Sequence, residues 1–263
     1  MKAKKLETQG MAMEQGRSGD DTTDTAAAPD LEWLEGDVPR AQAFSDTYFS
    51  KAGGLEETRH VFLKGNGLPE GFSNRQTFTI AEFGFGTGLN FLATLASLKT
   101  VPVPPALTFL SFELYPMSRD QLERALRAFP ELADLAASLV ESWAPEPGWN
   151  RFEIEGAILM LGVGDARQLI RQLSLEEDTA KAERLRISSI DAWFLDGFSP
   201  ARNPELWDEN LLKSAAELTR SGGTLATYTA AGWVRRNLQS AGFTIEKVAG
   251  FAGKREMVVG RKN

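Results

Sequence analysis

The sequence predicts an α/β fold built on a mostly parallel sheet, and three features of the chain support this prediction. Apolar segments of strand length alternate with segments of helical periodicity from about residue 77 to the end. The first strand runs into three glycines at every second position, Gly84, Gly86 and Gly88, and a helical pattern follows. Several later strands end in a carboxylate. Because ligands of such folds bind at the carboxyl edge of the sheet, these strand ends predict a ligand site there.

The glycine loop after the first strand indicates which class of ligand to expect. Glycine lacks a Cβ, so the loop can take positive φ and lie close against a ligand. A dinucleotide fingerprint would need a third glycine where Leu89 stands, and a P-loop would need a Gly-Lys-Ser/Thr ending, which is missing. The pattern Glu82-x-Gly84-x-Gly86-x-Gly88 instead resembles the first motif of the Rossmann-like S-adenosylmethionine (AdoMet) methyltransferases. The alternative is an ordinary strand-to-helix turn.

Composition limits the classes of protein that the chain can represent. With 263 residues and 42% hydrophobic content, it can bury one sizeable core. It contains no cysteine and a single histidine, His60, so we expect no disulfide and no metal site. It lacks the apolar run of about 20 residues that a membrane span needs, so a cytoplasmic location without membrane contact is expected. The net charge of −7 argues against a generic nucleic-acid binder but leaves local basic patches open.

The chain is expected to divide into a tail and one domain. Residues 1–36 are predicted to be a disordered N-terminal tail, because they are polar and show no apolar period. Residues 37–263 are predicted to form the domain, and residues 37–76 are expected to fold over the ligand mouth as a lid. Within this segment, Tyr48 and Phe49 either contact the substrate or seal an edge of the sheet.

Two carboxylates at strand ends are candidates for cofactor binding. Glu113 ends the second strand, 25 residues after Gly88, where an acid can accept hydrogen bonds from ribose hydroxyls. Asp165 stands where a later strand gives way to a helix. It either accepts a hydrogen bond from the exocyclic amine of adenine, beside Ala166, or caps the N-terminus of that helix.

The most apolar strand, at residues 189–195, ends in Asp196 and the run Gly-Phe-Ser-Pro-Ala-Arg-Asn-Pro. We expect the chemistry at this carboxylate, with Phe198 offering a flat face for a base. The alternative is a simple turn built from Asp, Gly and Pro.

Two further strands close the chain about ten residues apart, too near for a parallel crossover, so they are predicted to pair antiparallel. Lys254 and Arg255 lie in that connection, where they either meet phosphate or occupy a solvated tip.

Longer motifs resemble a narrower family. They are Tyr48-Phe-Ser-Lys, Gly54-Leu-Glu-Glu-Thr-Arg-His-Val-Phe-Leu, Phe83-Gly-Phe-Gly-Thr-Gly-Leu-Asn-Phe, Phe112-Glu, Asp191-Ala-Trp-Phe-Leu-Asp-Gly-Phe-Ser-Pro-Ala-Arg-Asn-Pro, Gly222-Gly-Thr-Leu-Ala-Thr-Tyr and Gly253-Lys-Arg-Glu-Met. From about Asp37 onward the chain resembles the methyltransferase part of the bifunctional tRNA 5-methylaminomethyl-2-thiouridine biosynthesis enzymes, the MnmC family. The resemblance implies a class I AdoMet-dependent methyltransferase with a seven-stranded, mostly parallel sheet whose last strand is antiparallel.

The resemblance also implies an activity and the residues that perform it. The activity is methyl transfer from AdoMet to the primary amine of 5-aminomethyl-2-thiouridine at the tRNA wobble position, with Asp196 at the reacting centre. Expected cofactor-binding residues are Glu82, Gly84, Phe85, Gly86, Gly88, Asn90, Glu113, Asp165 and Ala166. Expected substrate-binding residues are Tyr48, Phe49, Phe198, Lys254 and Arg255.

The expected partners are tRNA and an FAD-dependent oxidase, fused or separate. Because this chain shows no second dinucleotide fingerprint, it is either a stand-alone methyltransferase or half of a longer protein. Two other functions stay open: methylation of a small-molecule or protein amine, and a non-catalytic AdoMet- or tRNA-binding role beside an oxidase.

Overall fold

A computed structural model describes residues 27–50, 53–178, 184–253 and 256–263 of the chain. The strands are β1 (Leu31–Leu34), β2 (Val38–Ala41), β3 (Asp46–Thr47), β4 (Thr77–Phe83), β5 (Ala106–Glu113), β6 (Gly148–Ile154), β7 (Ala157–Val163), β8 (Leu173–Leu175), β9 (Leu185–Ile187), β10 (Ile190–Leu195), β11 (Thr219–Thr227), β12 (Phe243–Ala249) and β13 (Glu256–Lys262). The α-helices are α1 (Gly54–Thr58), α2 (Leu89–Leu98), α3 (Arg119–Leu126), α4 (Ala133–Ser142), α5 (Ala166–Leu169), α6 (Glu209–Glu217) and α7 (Gly232–Ser240). Among the described residues, no helix has both the length and the apolar character needed to cross a membrane.

A mixed central sheet has the strand order β12-β13-β11-β10-β4-β5-β7-β6, with eight strands in the described part of the chain. The five strands β11, β10, β4, β5 and β7 pair in parallel. At one edge β13 pairs antiparallel with β11 and β12, and at the other β6 pairs antiparallel with β7. The mostly parallel sheet with an antiparallel last strand is confirmed, but the count of seven is wrong. Residues 149–161 alternate apolar and polar side chains, a pattern compatible with one strand or a hairpin, and in the structure β6 and β7 form a hairpin here that adds a strand.

The central strands are buried on both faces, which explains their nearly continuous apolar sequence. Alternate residues of β10 enter two different cores. Ala192 and Phe194 pack with α2, α3 and α4 on one face, while Trp193 and Leu195 pack with α6 and α7 on the other. The resulting three-layer arrangement places the carboxyl ends of β4, β5, β7 and β10 along one edge.

A small antiparallel sheet of β1, β2 and β3 precedes the central sheet. Its first strand lies inside the range 1–36 that the sequence predicted to be a disordered tail, so that boundary is too late in the chain. This region is held by contacts with Arg124 of α3, whose guanidinium lies 4.2 Å from the Trp33 ring centre and pairs with Asp37 at 2.8 Å. Contacts of this kind leave no apolar periodicity in the sequence, so the sequence did not predict an ordered strand here. Residues 1–26 of the predicted tail lie outside the described residues.

Candidate active site

The loops that follow β4, β5, β7 and β10 surround a cavity of about 860 Å³. This volume lies within the range of about 300–1,000 Å³ that is usual for small-molecule sites. The loop residues that line it include Gly84, Glu113, Asp165 and Asp196, and the N-terminal segment contributes lining residues between Ala41 and Ser50. The strand-end residues singled out by the sequence therefore share one cavity.

The glycine loop brings the ends of β4 and β10 into contact. Gly84 has φ of 78°, and a Cβ there would lie 3.0 Å from the Cα of Gly197. The backbones of Gly84 and Gly86 line the cavity, as expected of cofactor-binding residues. Gly88 does not line it: its φ is 70°, and a Cβ would lie 2.8 Å from the Phe85 ring. Gly88 is required for the turn and its packing, and Phe85 itself stacks on Trp143 at 5.2 Å.

Glu113 lines the cavity and also holds the glycine loop in place. One oxygen of its carboxylate accepts a hydrogen bond from the Gly86 amide at 2.8 Å, and the other accepts one from the Tyr115 amide at 3.0 Å. Burial raises the pKa of Glu113, and the hydrogen bonds from these backbone amides lower it in part. The carboxylate that was predicted to bind ribose hydroxyls therefore also holds the glycine loop after β4 against the end of β5.

Asp196 is held by a network of polar side chains at the cavity. The amide nitrogen of Asn90 donates to Oδ2 of Asp196 and to Oε1 of Glu82, both at 2.7 Å. The hydroxyl of Thr58 donates to Oδ1 of Asn90 at 2.8 Å, and that of Ser111 donates to Oε2 of Glu82 at 2.7 Å. The sequence did not single out Thr58 or Ser111, because nothing in their local pattern reports a contact across the sheet.

Glu82 lies behind Asn90 and does not line the cavity. Its carboxyl is fully buried, and this burial raises its pKa well above the usual range. The charges of Asp196 and Glu113 act in the same direction, and the hydrogen bonds from Ser111 and Asn90 oppose the shift. Glu82 thus supports the cavity wall from behind Asn90, and its expected contact with the cofactor stays a prediction.

An aromatic wall stands beside Asp196. The Phe198 ring stacks on Phe44, with ring centres 4.6 Å apart, and meets Tyr48 edge-on at 5.1 Å. Phe44 was missed by the sequence analysis, although it lies four residues before Tyr48. Phe49 is only 9% exposed and packs edge-on against Phe129 at 4.8 Å, so its ring belongs mainly to the core.

Tyr228 lines the cavity near Asp196; the sequence analysis quoted it in a motif but gave it no role. Its hydroxyl donates to the Gly197 carbonyl at 2.9 Å, and burial raises its pKa, as do the charges of Asp196, Asp46 and Glu57. Lys254 and Arg255 lie outside the described residues, so their expected contact with substrate stays a prediction.

Asp165 adopts the structural alternative that the sequence left open. It caps the N-terminus of α5 by accepting a hydrogen bond from the Arg167 amide at 2.8 Å. It also pairs with the Arg167 guanidinium at 2.6 Å, and this partner lowers the pKa of Asp165. Asp165 and Ala166 both line the cavity, but the Asp165 carboxylate is already engaged with Arg167.

Residues 130–263, half of the chain, match the sequence model of a protein family described as S-adenosyl-L-methionine-dependent methyltransferases. The chain belongs to this methyltransferase family. It is 44% identical over 241 residues to the tRNA 5-methylaminomethyl-2-thiouridine biosynthesis bifunctional protein MnmC of Aeromonas salmonicida, a match that covers 88% of this chain and 35% of that protein. The MnmC protein of Vibrio campbellii is also 44% identical, over 248 residues, with the same coverage. The chain thus spans about a third of the length of these relatives.

A solved structure shows the same fold. The crystal structure of MnmC2 from Aquifex aeolicus superimposes with a TM-score of 0.65 at 22% identity, and the match covers 89% of this methyltransferase and 70% of that chain.

The cavity residues of this methyltransferase fit AdoMet. AdoMet carries a sulfonium and an ammonium group, and both favour an anionic surrounding. The charged side chains that line the described part of the cavity are the acids Asp30, Asp46, Glu57, Glu113, Asp165, Asp196 and Glu205 and the base Arg167. The backbone of Gly84 and Gly86 lines the cavity, and an added Cβ at these positions would crowd Gly197 and Tyr48, respectively. This loop and Glu113 are therefore the candidates for contacts with the cofactor.

Proposed function

We propose that this methyltransferase acts on the primary amine of 5-aminomethyl-2-thiouridine at the wobble position of tRNA. The proposal is supported by the 44% identity to relatives that are named for the biosynthesis of the methylated nucleoside. The observation that carries it is the Asp196 carboxylate, which lines the same cavity as the glycine loop and Glu113. Neither the fold nor the glycine loop alone would select an amine substrate.

Asp196 supplies what an amine substrate needs. A primary alkylammonium has no lone pair, so a carboxylate must accept a proton before the nitrogen can act as a nucleophile. AdoMet, when bound, supplies an electrophilic methyl group on its sulfonium. Asp196 accepts the ammonium proton and holds the amine by a hydrogen bond, and no covalent bond to the protein is required. Alignment of the amine by such contacts is itself a large contribution to rate.

The aromatic wall of Phe44, Tyr48 and Phe198 provides a surface for the base. A pyrimidine ring can stack on such side chains, and base–aromatic stacking contributes about 1–3 kcal/mol per base in other nucleic-acid sites. The acidic lining of the cavity suits the amine rather than phosphate. We therefore propose that the tRNA backbone is held outside the cavity, with Lys254 and Arg255 as candidates for that contact.

The relatives are named as bifunctional and are about two and a half times as long as this chain. We propose that an FAD-dependent oxidase, fused or separate, works beside this methyltransferase and supplies the amine. Such an oxidase would form the primary amine by removing a carbon substituent from a secondary amine; the alternative is that the aminomethyl nucleoside is made directly.

Nucleoside analysis tests the proposed function directly. The protein is incubated with AdoMet and with tRNA that carries 5-aminomethyl-2-thiouridine, and the digested nucleosides are examined by mass spectrometry. We expect a gain of one methyl group on this nucleoside. No gain with this tRNA, together with methylation of a free small-molecule amine, would contradict the tRNA assignment and favour a small-molecule methyltransferase.

A further inference from the structure

Asn90 occupies a position between two acidic side chains. It is the second residue of α2, is 6% exposed, and its amide nitrogen lies 2.7 Å from both the Glu82 and the Asp196 carboxyl oxygens. An asparagine amide nitrogen has two hydrogens, and here each faces a different carboxyl group. Its oxygen accepts from the Thr58 hydroxyl at 2.8 Å. A flipped amide would place its oxygen against both carboxyl groups, so this network fixes one orientation of the side chain.

The far side of the network is anchored in the central sheet. Glu82 on β4 and Ser111 on β5 are partners in the parallel pairing, both are fully buried, and their side chains are joined at 2.7 Å. Thr58 is also buried, with 4% exposed. Close packing around buried groups leaves them little freedom to move. The position of the Asn90 amide is thus set by the sheet and by α1, not by the cavity.

We infer that Asn90 is a positioning residue that aims the Asp196 carboxylate at the incoming amine, and that Thr58 and Glu82 hold Asn90 in the required orientation. This differs from the sequence expectation that Asn90 binds the cofactor, because both amide hydrogens are already donated to carboxyl groups. The Asn90 amide also separates the Glu82 and Asp196 carboxyl groups. Each carboxyl accepts a hydrogen bond from the Asn90 nitrogen, so the two do not share a proton with each other. The inference rests on the proposed role of Asp196 in the methyl transfer.

A pair of substitutions at Thr58 tests the inference without changing the charge of the site. Thr58→Val removes the hydroxyl that fixes the Asn90 amide, while Thr58→Ser keeps it. At saturating AdoMet and tRNA we expect Thr58→Val to lower kcat about five- to tenfold, on the scale of one lost hydrogen bond. Thr58→Ser should stay within about twofold of the wild type. The AdoMet Kd from calorimetry should change little in both variants, while the Tm should fall by a few degrees in Thr58→Val, which leaves the buried Asn90 oxygen without its donor, and should stay near the wild type in Thr58→Ser.

Asn90→Ala tests the same role more severely. We expect kcat to fall about 10²-fold, as small misplacements of a reacting group can cause, with the AdoMet Kd within about threefold of the wild type. A rise in the AdoMet Kd that accounts for the loss of activity would assign Asn90 to cofactor binding and overturn the inference. If Asn90→Ala does not fold, the Thr58 pair decides.

Two further outcomes separate this inference from the proposed function. A wild-type protein that does not methylate the tRNA amine contradicts the proposed function. Wild-type turnover with an unchanged kcat in Thr58→Val overturns the positioning role alone. A crystal structure of Thr58→Val gives a readout that is independent of substrate: a displaced Asp196 carboxylate supports the inference, and an unmoved Asn90 and Asp196 contradict it.

Discussion

Asp191 should be essential for stability although it lies on the same strand that leads to Asp196. It stands near the start of β10, at the opposite end from the cavity, and is 4% exposed. Its carboxylate accepts hydrogen bonds from Arg75 Nη2 at 2.6 Å, from Arg220 Nε at 2.5 Å and from the Thr79 amide at 2.9 Å. Asp191→Ala removes all three acceptor contacts and leaves the neighbouring donors in place.

The size of the effect follows from the burial of those donors. The Thr79 amide is buried, and leaving such a group without a partner costs about 1–3 kcal/mol. The Arg75 and Arg220 side chains are 38% and 35% exposed, so water can hydrate them and they add less than a fully buried pair would. We expect the free energy of unfolding to fall by about 3 kcal/mol, which corresponds to a decrease in Tm of about 6–12 °C.

Urea unfolding and thermal melting measure this loss, and activity at low temperature separates stability from catalysis. The AdoMet Kd and kcat of Asp191→Ala should match the wild type at a temperature where both are folded. Glu153→Ala is the control: among the described residues, the Glu153 side chain makes one exposed ion pair, with Arg151 at 3.9 Å, so this substitution should change stability by less than about 0.5 kcal/mol. A loss below 1 kcal/mol in Asp191→Ala, or a fall in kcat without destabilisation, would refute the reasoning.

Three other predictions concern the loop, the aromatic wall and the buried acid. Gly84→Ala should abolish measurable AdoMet binding in calorimetry, because the added Cβ would lie 3.0 Å from the Gly197 Cα; Gly156→Ala, with nearly the same φ of 79° but open space around it, should leave the Kd unchanged. Phe198→Ala should raise the KM for tRNA with little change in the AdoMet Kd, and an equal rise in both would count against a base-binding wall. For Glu82, whose pKa is raised by burial, the wild-type free energy of unfolding should fall as pH increases above about 4.3, by up to about 1.4 kcal/mol per pH unit, until the folded pKa is reached. Glu82→Gln should reduce that slope in urea unfolding measured across pH and leave the part that comes from Glu113, whose pKa burial also raises; an identical slope in the variant would argue against a buried neutral Glu82 carboxyl.

The strand-end residues could be predicted because their signal is local in the sequence. The apolar strand before Asp196 and the glycine-rich turn after β4 each identify the carboxyl edge of a parallel strand, and topology brings such ends together. The edges of the sheet were harder to predict. The β6–β7 segment was compatible with one strand or two, and β1 is held by contacts to α3 that lie far away in the chain.

The side-chain network could not be predicted, because it depends on distances across the sheet. Nothing in the local sequence around Ser111 or Thr58 shows that their hydroxyls donate to Glu82 and Asn90. For Asp165, the strand-to-helix pattern was compatible both with cofactor binding and with a helix N-cap. Phe44 was missed because a single aromatic residue in an irregular segment has no period that would mark its face. The residue types at the edge were thus predictable, while their division into cavity-lining and supporting residues required coordinates.

Asp196→Asn is the most direct test of the central claim, that this carboxylate accepts the proton of the amine. The substituted side chain keeps an oxygen to accept the hydrogen bond from Asn90, so the AdoMet Kd and the Tm should stay close to those of the wild type. Methyl transfer to tRNA that carries the aminomethyl nucleoside should fall about 10²-fold or more, the scale of losing a general base. Turnover at the wild-type rate in this variant would contradict the account.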